Sequence, residues 1–296
     1  MEIIVGKYAG FCYGVNRAVD GLNKLVEENS KEEANIKCYG EIVHNNNVVK
    51  DFQEKKVEFI EDLSKVNRED KVVIRAHGIR KEDYELLKEK GIDYKDFTCH
   101  NVLRVHKIVE NNKDSLIILT GDRNHPENIG TISFAKDIIV INNPEELADE
   151  NIIKRIKEQS NKNKRIVLIS QTTYSMEKFN IIVGLLKQIL KGTDINLDIE
   201  KTICSSTRFR QLETEEIAKK VELMIIIGSK TSSNTKKLKE VAEKYTKTIM
   251  IDTEDDLDGT IFAYNKIGIM AGASVPSYII DNVVEFLESK KSKINK

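Results

Sequence analysis

The sequence holds few cysteines, no excess of either charge and no long apolar run. Four cysteines in 296 residues are too sparse for a secreted disulfide framework. None is arranged as C-x-x-C, which removes zinc-ribbon and thioredoxin-type motifs. Lys plus Arg is 47 against 48 for Asp plus Glu, a net charge of −1. That balance argues against a basic nucleic-acid module. The longest apolar runs are short, such as Leu223 to Ile227, where a membrane helix needs about 20 residues. The start Met-Glu-Ile-Ile-Val-Gly-Lys has neither the basic opening nor the apolar segment of a signal peptide. With 40% apolar residues there is material for a core. The expectation is a cytoplasmic monomer, with no nucleic-acid or membrane partner. The short basic run Lys290-Lys291-Ser292-Lys293 reads as a solvated tail over 288–296.

The cysteines divide by context. Cys38 lies in the alternating stretch Ile36-Lys37-Cys38-Tyr39-Gly40, where a small buried residue of a strand is the ordinary reading. Cys12, Cys99 and Cys204 each follow a short apolar strand and precede residues with helical spacing. Val15, Ala18, Val19, Leu22 and Leu25 follow the first of these; Val102, Val105 and Val109 follow the second. Each therefore falls at a strand-to-helix turn, where free N–H groups and the helix dipole favour a thiolate.

Other features recur after each of the three cysteines. One is a Gly-led polar turn: Gly40 to Asn45, Gly121 to Glu127, and Gly228 to Asn234. Next comes an acidic pair with leucine: Glu61-Asp62-Leu63, Glu145-Glu146-Leu147 and Asp255-Asp256-Leu257. A strand then ends in a third turn: Ala76-His77-Gly78, Gln171-Thr172-Thr173 and Gly272-Ala273-Ser274. Alternating strands and helices imply mostly parallel sheets. The predicted fold is α/β: three similar small units arranged pseudo-threefold around a centre. Their bounds are 13–98, 99–203 and 204–287, with residues 1–12 joining the third. Turns at the carboxyl ends of parallel strands carry the function of such sheets.

Three thiols without a fourth suit a metal centre with an open position. Structural zinc takes four ligands, whereas an iron–sulfur cluster on three cysteines leaves one iron bare for Lewis-acid or electron-transfer chemistry. His44, His77, His125, Thr172, Ser232, Ser233, Asn234 and Ser274 are donors suited to a phosphate or diphosphate. Glu127, two residues beyond His125, is a candidate proton donor if burial raises its pKa. His100 and His106 lack counterparts in the other units and are read as helix residues.

The set resembles the LytB (IspH) family of 4-hydroxy-3-methylbut-2-enyl diphosphate reductases. The segments that carry the resemblance are Gly10-Phe11-Cys12-Tyr13-Gly14-Val15, Val43-His44-Asn45, Ala76-His77-Gly78, Asp96-Phe97-Thr98-Cys99, His125-Pro126-Glu127, Gln171-Thr172-Thr173, Thr202-Ile203-Cys204 with Arg210-Gln211, Ser232-Ser233-Asn234 and Gly272-Ala273-Ser274. The resemblance implies reductive dehydroxylation of an allylic diphosphate to isopentenyl and dimethylallyl diphosphate, with two electrons and two protons. It further implies one 4Fe–4S cluster on Cys12, Cys99 and Cys204. The diphosphate would be held by His44, His77, His125, Ser232, Ser233, Asn234 and Ser274. Thr172 would contact the substrate alcohol, Glu127 would supply protons, and flavodoxin or ferredoxin would supply electrons. Phe97 and His100 depart from the family's usual Ala and Pro around the middle Thr-Cys pair, and Ser206 replaces a common Ala. Two alternatives remain open: another three-thiolate enzyme similar to quinolinate synthase, and a cluster-based redox sensor without turnover.

Overall fold

The computed structural model describes residues 1–29, 34–162 and 164–294. The first elements are β1 (Glu2–Val5), α1 (Tyr13–Asn29), β2 (Ile36–Tyr39), α2 (Asn46–Glu54), β3 (Val57–Ile60), β4 (Lys71–Ile74), α3 (Lys81–Lys90) and β5 (Tyr94–Asp96). Next come α4 (His100–Asn111), β6 (Leu116–Thr120), α5 (Pro126–Ser133), β7 (Ile138–Ile141), α6 (Glu150–Lys157), β8 (Arg165–Ser170), α7 (Met176–Ile189) and β9 (Asn196–Ile199). The remainder is α8 (Ser205–Ala218), β10 (Leu223–Ile227), α9 (Ser233–Ala242), β11 (Lys247–Ile251), β12 (Lys266–Ala271) and α10 (Ser277–Ile294).

Among the described residues the strands form three four-stranded parallel sheets, ordered β3-β2-β4-β5, β7-β6-β8-β9 and β11-β10-β12-β1. Each has its second strand at one edge, then the first, third and fourth. β1 takes the fourth place beside β12, with Val5 opposite Ile269. The three predicted α/β units with parallel sheets are thus present, one of them closed by the chain's first strand. All pairs are parallel, so in each sheet the loops that follow strands share one edge.

The chain divides into two compact units. One contains Met1–Val19, Val43–Lys55 and the residues from Ser205 onward; the other contains Asp20–Ile42 and Lys56–Cys204. The first unit holds the β1 sheet and the second holds the other two sheets.

Unbroken apolar strands explain the layering. Leu116, Ile118, Ile166 and Leu168 pack on one face with Phe179, Ile182 and Leu186 of α7. Ile117, Leu119, Val167 and Ile169 pack on the other with Val105 and Val109 of α4. A sheet buried on both faces needs apolar residues at odd and even positions alike. β10 repeats the pattern, with Ile225 and Ile227 facing Ile279 and Val283 of α10 and Met224 and Ile226 facing Ile217 of α8 and Leu238 of α9.

The link from second to third strand departs from a strict strand–helix alternation. Only the β7–β8 link contains an α-helix, α6; the other two are short 3-10 turns. The recurrent acidic pairs belong to these turns. Asp62 accepts from the Ser64 N–H, Glu146 from Asn142 and Asn143, and Asp256 from Asp252 and Thr253. The leucine of each repeat is buried. That signal is therefore capping chemistry with an apolar anchor. At the other end, α10 continues as far as Ile294. Residues 295–296 of the expected tail lie outside the described residues.

Candidate functional site

Each sheet offers the same three turns at one edge, and the cysteines sit on equivalent ones. Cys12 follows β1, Cys99 follows β5 and Cys204 follows β9, the fourth strand of each sheet. Each directly precedes a helix: α1, α4 and α8. Their backbones are tied identically. Cys12 N–H donates to the Ala273 carbonyl at 3.3 Å, Cys99 N–H to Ala76 at 2.9 Å and Cys204 N–H to Thr172 at 3.1 Å. All three acceptors stand two residues beyond a third strand. The three thiols are outside any disulfide and half-buried, whereas Cys38 is fully buried in β2. The Cys12 sulfur accepts from the Val15 N–H at 3.5 Å, and the Asn101 amide approaches the Cys99 sulfur at 3.9 Å. Burial pushes the Cys38 thiol far up, so that residue stays a neutral core side chain.

The turn after each first strand opens on a glycine with positive φ: Gly40, Gly121 and Gly228. Their N–H groups donate to the last residue of the second strand, Ile60, Ile141 and Ile251. At Gly121 a side chain has no room, since a Cβ would lie 2.8 Å from the Gln171 Cβ. Close approach of backbone to the neighbouring turn requires glycine there.

In the second unit, Gly121 leads into His125, the N-cap of α5, whose Nδ1 accepts from the Glu127 N–H at 3.2 Å. Pro126 occupies the first helical position, where its fixed φ and missing donor carry no penalty. This directs Glu127 inward, 2% exposed. Its two oxygens accept from Thr172, one from the backbone N–H at 2.6 Å and one from Oγ1 at 2.7 Å. Burial pushes the carboxyl up to about 7, although the Thr172 bonds hold it down. Such a group can carry a proton at neutral pH. Asn128 is braced by the Gln171 Oε1 at 3.0 Å. The His77 ring stands edge-on to His125, centroids 5.4 Å apart. Glu127, Thr172, His125 and His77 thus gather on adjacent turns.

In the first unit, Ser232 is the N-cap of α9, its Oγ accepting from Thr235 N–H at 3.4 Å. Asn234 is buried, yet neither its amide nitrogen nor its oxygen has a hydrogen-bond partner; the Thr235 hydroxyl is likewise unpaired. Ser274 donates to the His44 carbonyl at 3.0 Å. Arg210, a buried residue of α8, donates to the Gly10 carbonyl and to the Ser206 hydroxyl. It ties the start of α8 to the turn before Cys12, which gives Ser206 a partner.

His44 and His125 are not strict counterparts. His125 is itself an N-cap, whereas Asn45 caps α2 and His44 precedes it. His100 and His106 both lie in α4. His106 holds more than periodicity conveys: it is buried, neither ring nitrogen has a hydrogen-bond partner, and it stacks on Phe134 at 4.5 Å. Burial lowers its pKa to about 4. A Cβ on Gly78 or Gly130 would meet this ring at 3.1 and 3.4 Å. The ring thus fills space between the His77 turn and α5. Among residues not singled out, Asn128 brackets Glu127, and its place beside that carboxylate was the one available signal.

Comparisons with known proteins agree with this geometry. A family model described as LytB protein matches residues 3–288. A protein of Caldanaerobacter subterraneus subsp. tengcongensis named 4-hydroxy-3-methylbut-2-enyl diphosphate reductase is 37% identical, over 99% of both chains. One of Clostridioides difficile with the same name is 36% identical, over 98% of this chain and all of the other. The solved E-1-hydroxy-2-methyl-but-2-enyl-4-diphosphate reductase of Plasmodium falciparum matches with a TM-score of 0.84 and 31% identity, over 97% of this chain and 87% of that one. A second solved structure, titled as the terminal enzyme of the non-mevalonate pathway, matches with a TM-score of 0.67 and 33% identity.

Proposed function

Because the chain belongs to the LytB family, we infer that it is a 4-hydroxy-3-methylbut-2-enyl diphosphate reductase, the last enzyme of the non-mevalonate route. The reaction takes an allylic alcohol diphosphate, two electrons and two protons. It yields isopentenyl or dimethylallyl diphosphate and water. The observation that carries the reading is the threefold placement of Cys12, Cys99 and Cys204, each donating its N–H to the carbonyl two residues beyond a third strand.

The three thiols are proposed as ligands of one 4Fe–4S cluster. The donor set fits. All three are half-buried thiols outside any disulfide, and each precedes a helix whose N-terminal N–H groups favour anionic sulfur. When bound, such a cluster supplies single electrons and a Lewis-acidic iron for the departing hydroxyl. The remaining work belongs to the chain. Glu127 holds a proton at Oε1 or Oε2, screened from water, and passes it through the Thr172 hydroxyl or directly. Thr172 orients the substrate alcohol. Asn234, with its unpaired buried amide, supplies a donor to the diphosphate, aided by Ser232, Ser233, Ser274, His44, His77 and His125. The division into 13–98, 99–203 and 204–287 with 1–12, a cytoplasmic monomer, and a flavodoxin or ferredoxin as reductant complete the proposal. No helix among the described residues is long and apolar enough to cross a membrane.

The test is anaerobic reconstitution followed by iron and sulfide analysis, with Mössbauer spectra recorded with and without the diphosphate. The reading requires a substrate-dependent shift at one iron, and turnover with a chemical reductant. A cluster that forms but neither responds to the diphosphate nor turns over would convert the reading to a sensor.

A further inference from the structure

Exposed large apolar side chains lie near each of the three cysteines in the chain, and four of them fall in one compact unit. Val5 is 43% exposed, Tyr8 37%, Phe209 38% and Leu212 44%. The first two precede Cys12, and the last two stand on α8, which begins directly after Cys204. All four belong to the first unit. The rings of Tyr8 and Phe209 stack with centroids 5.2 Å apart and planes within 16°. Phe209 and Leu212, three residues apart, share one helix face. β1 is an edge strand, so Val5 borders this surface without a neighbouring strand.

Two cations and one carboxylate lie on the patch. The Lys7 ammonium lies 5.8 Å from the Tyr8 ring centroid and the Arg208 guanidinium 5.2 Å from that of Phe209. The carboxylate within the patch, Glu213, is occupied: its oxygens accept from the Lys7 and Tyr8 N–H groups at 2.8 and 2.9 Å. Glu216, further along α8, interacts with Lys219. Stacked rings beside two cations, with the one carboxylate turned to the chain's own N–H groups, suit a partner with an acidic rim around an apolar contact.

We propose that Lys7, Tyr8, Arg208, Phe209 and Leu212 form the docking surface for a small acidic one-electron carrier protein. This deepens the reductase reading and rests on it. Each encounter passes one electron from the reduced carrier, which leaves oxidised by one. Two encounters supply the two electrons consumed with two protons per hydroxyl released as water. Arg210 of α8 donates to the Gly10 carbonyl, so a carrier seated on this face of α8 stands beside the turn that leads to Cys12.

The experiment measures binding and turnover separately. Full-length anaerobic chain is titrated with an oxidised acidic ferredoxin at two salt concentrations, and activity is assayed with reduced ferredoxin and with dithionite plus methyl viologen. Binding should weaken as salt rises. The K7E/R208E pair should lose at least about tenfold in ferredoxin affinity. Phe209→Ser should lose a similar amount, with dye-driven turnover unchanged in both. Unaltered ferredoxin affinity in both variants overturns the docking surface. So would a dimer of the parent chain that Phe209→Ser dissociates, because a second copy would then own the patch. Absence of dye-driven turnover in the parent chain tells against the reductase reading alone.

Discussion

Two helix N-termini share a backbone plan and differ in what completes them. In the β6 sheet, His125 caps α5 and is followed by Glu127 and Asn128; in the β10 sheet, Ser232 caps α9 and is followed by Asn234 and Thr235. The opposing third-strand turns carry Gln171 and Thr172 in the first case, Gly272 and Ala273 in the second. Where Gln171 and Thr172 stand, both Glu127 oxygens bond to Thr172 and the Asn128 amide nitrogen bonds to Gln171, leaving the Asn128 oxygen alone unpaired among these side-chain atoms. Where Gly272 and Ala273 stand, the Asn234 amide and Thr235 hydroxyl are unpaired. Two small residues in place of two hydrogen-bonding ones leave buried donors idle. An idle buried polar group costs about 1–3 kcal/mol, a cost tolerated where a ligand supplies the missing partner. On the proposed reading the wired turn stores a proton and the unwired turn cradles the diphosphate.

The largest effect that could break this contrast lies on the wired side. Glu127→Gln keeps the shape and the Thr172 donors but removes the transferable proton. Turnover with a chemical reductant should fall by about 10²–10⁴-fold, the usual worth of general acid catalysis, with iron content unchanged. Normal turnover would strip Glu127 of its role. Next come the paired substitutions. Asn234→Leu should raise the KM for the diphosphate about tenfold, a charge-assisted hydrogen bond, while leaving the melting temperature of the unliganded chain equal or higher. Thr172→Val should do the reverse to stability, lowering it by about 1–3 kcal/mol because the Glu127 carboxyl loses a donor. Equal losses of stability in the two variants would erase the distinction between the turns. Ala273→Thr sharpens it further: a hydroxyl installed where Thr172 has one should give Asn234 a partner and weaken diphosphate affinity severalfold. Cys38→Ser should leave iron content untouched, since that thiol is core.

The sheets were legible because both faces are apolar, as Leu116 to Leu119 and Leu223 to Ile227 show. The turns were legible because glycine with positive φ must open them. Residues 1–12 were expected to join the third unit; what the sequence hid was the strand pairing that joins them, residues 2–5 against 266–269. The cysteine bonds to Ala273, Ala76 and Thr172 were invisible for the same reason: they are backbone bonds across strands, and no side chain announces them. The acidic pairs mark the turn after each second strand, where their work is capping. Glu127 stood out by position, but its partner had to be seen, because only the fold sets Thr172 against it.

The smallest effect separates two buried titratable groups of the second unit, Glu127 and His106. Glu127 has a folded pKa raised from 4.5 to about 7. Between those values the unfolded chain has released this proton and the native chain has kept it, so stability falls as pH rises. His106 has a folded pKa lowered from 6.5 to about 4. Between those values the unfolded chain is protonated there and the native chain is not, so stability falls as pH drops. Each slope is about 1.4 kcal/mol per pH unit, and over the window both share, 4.5 to 6.5, they oppose. Their contributions should nearly cancel in the parent chain. Glu127→Gln unmasks the histidine, and denaturant stability measured at several pH values should rise from the acid end of the window to the neutral end, relative to the parent. His106→Phe unmasks the carboxylate, with the relative slope reversed. Slopes of the same sign in the two variants would mean that one of these groups is not held in the ionisation state that burial dictates.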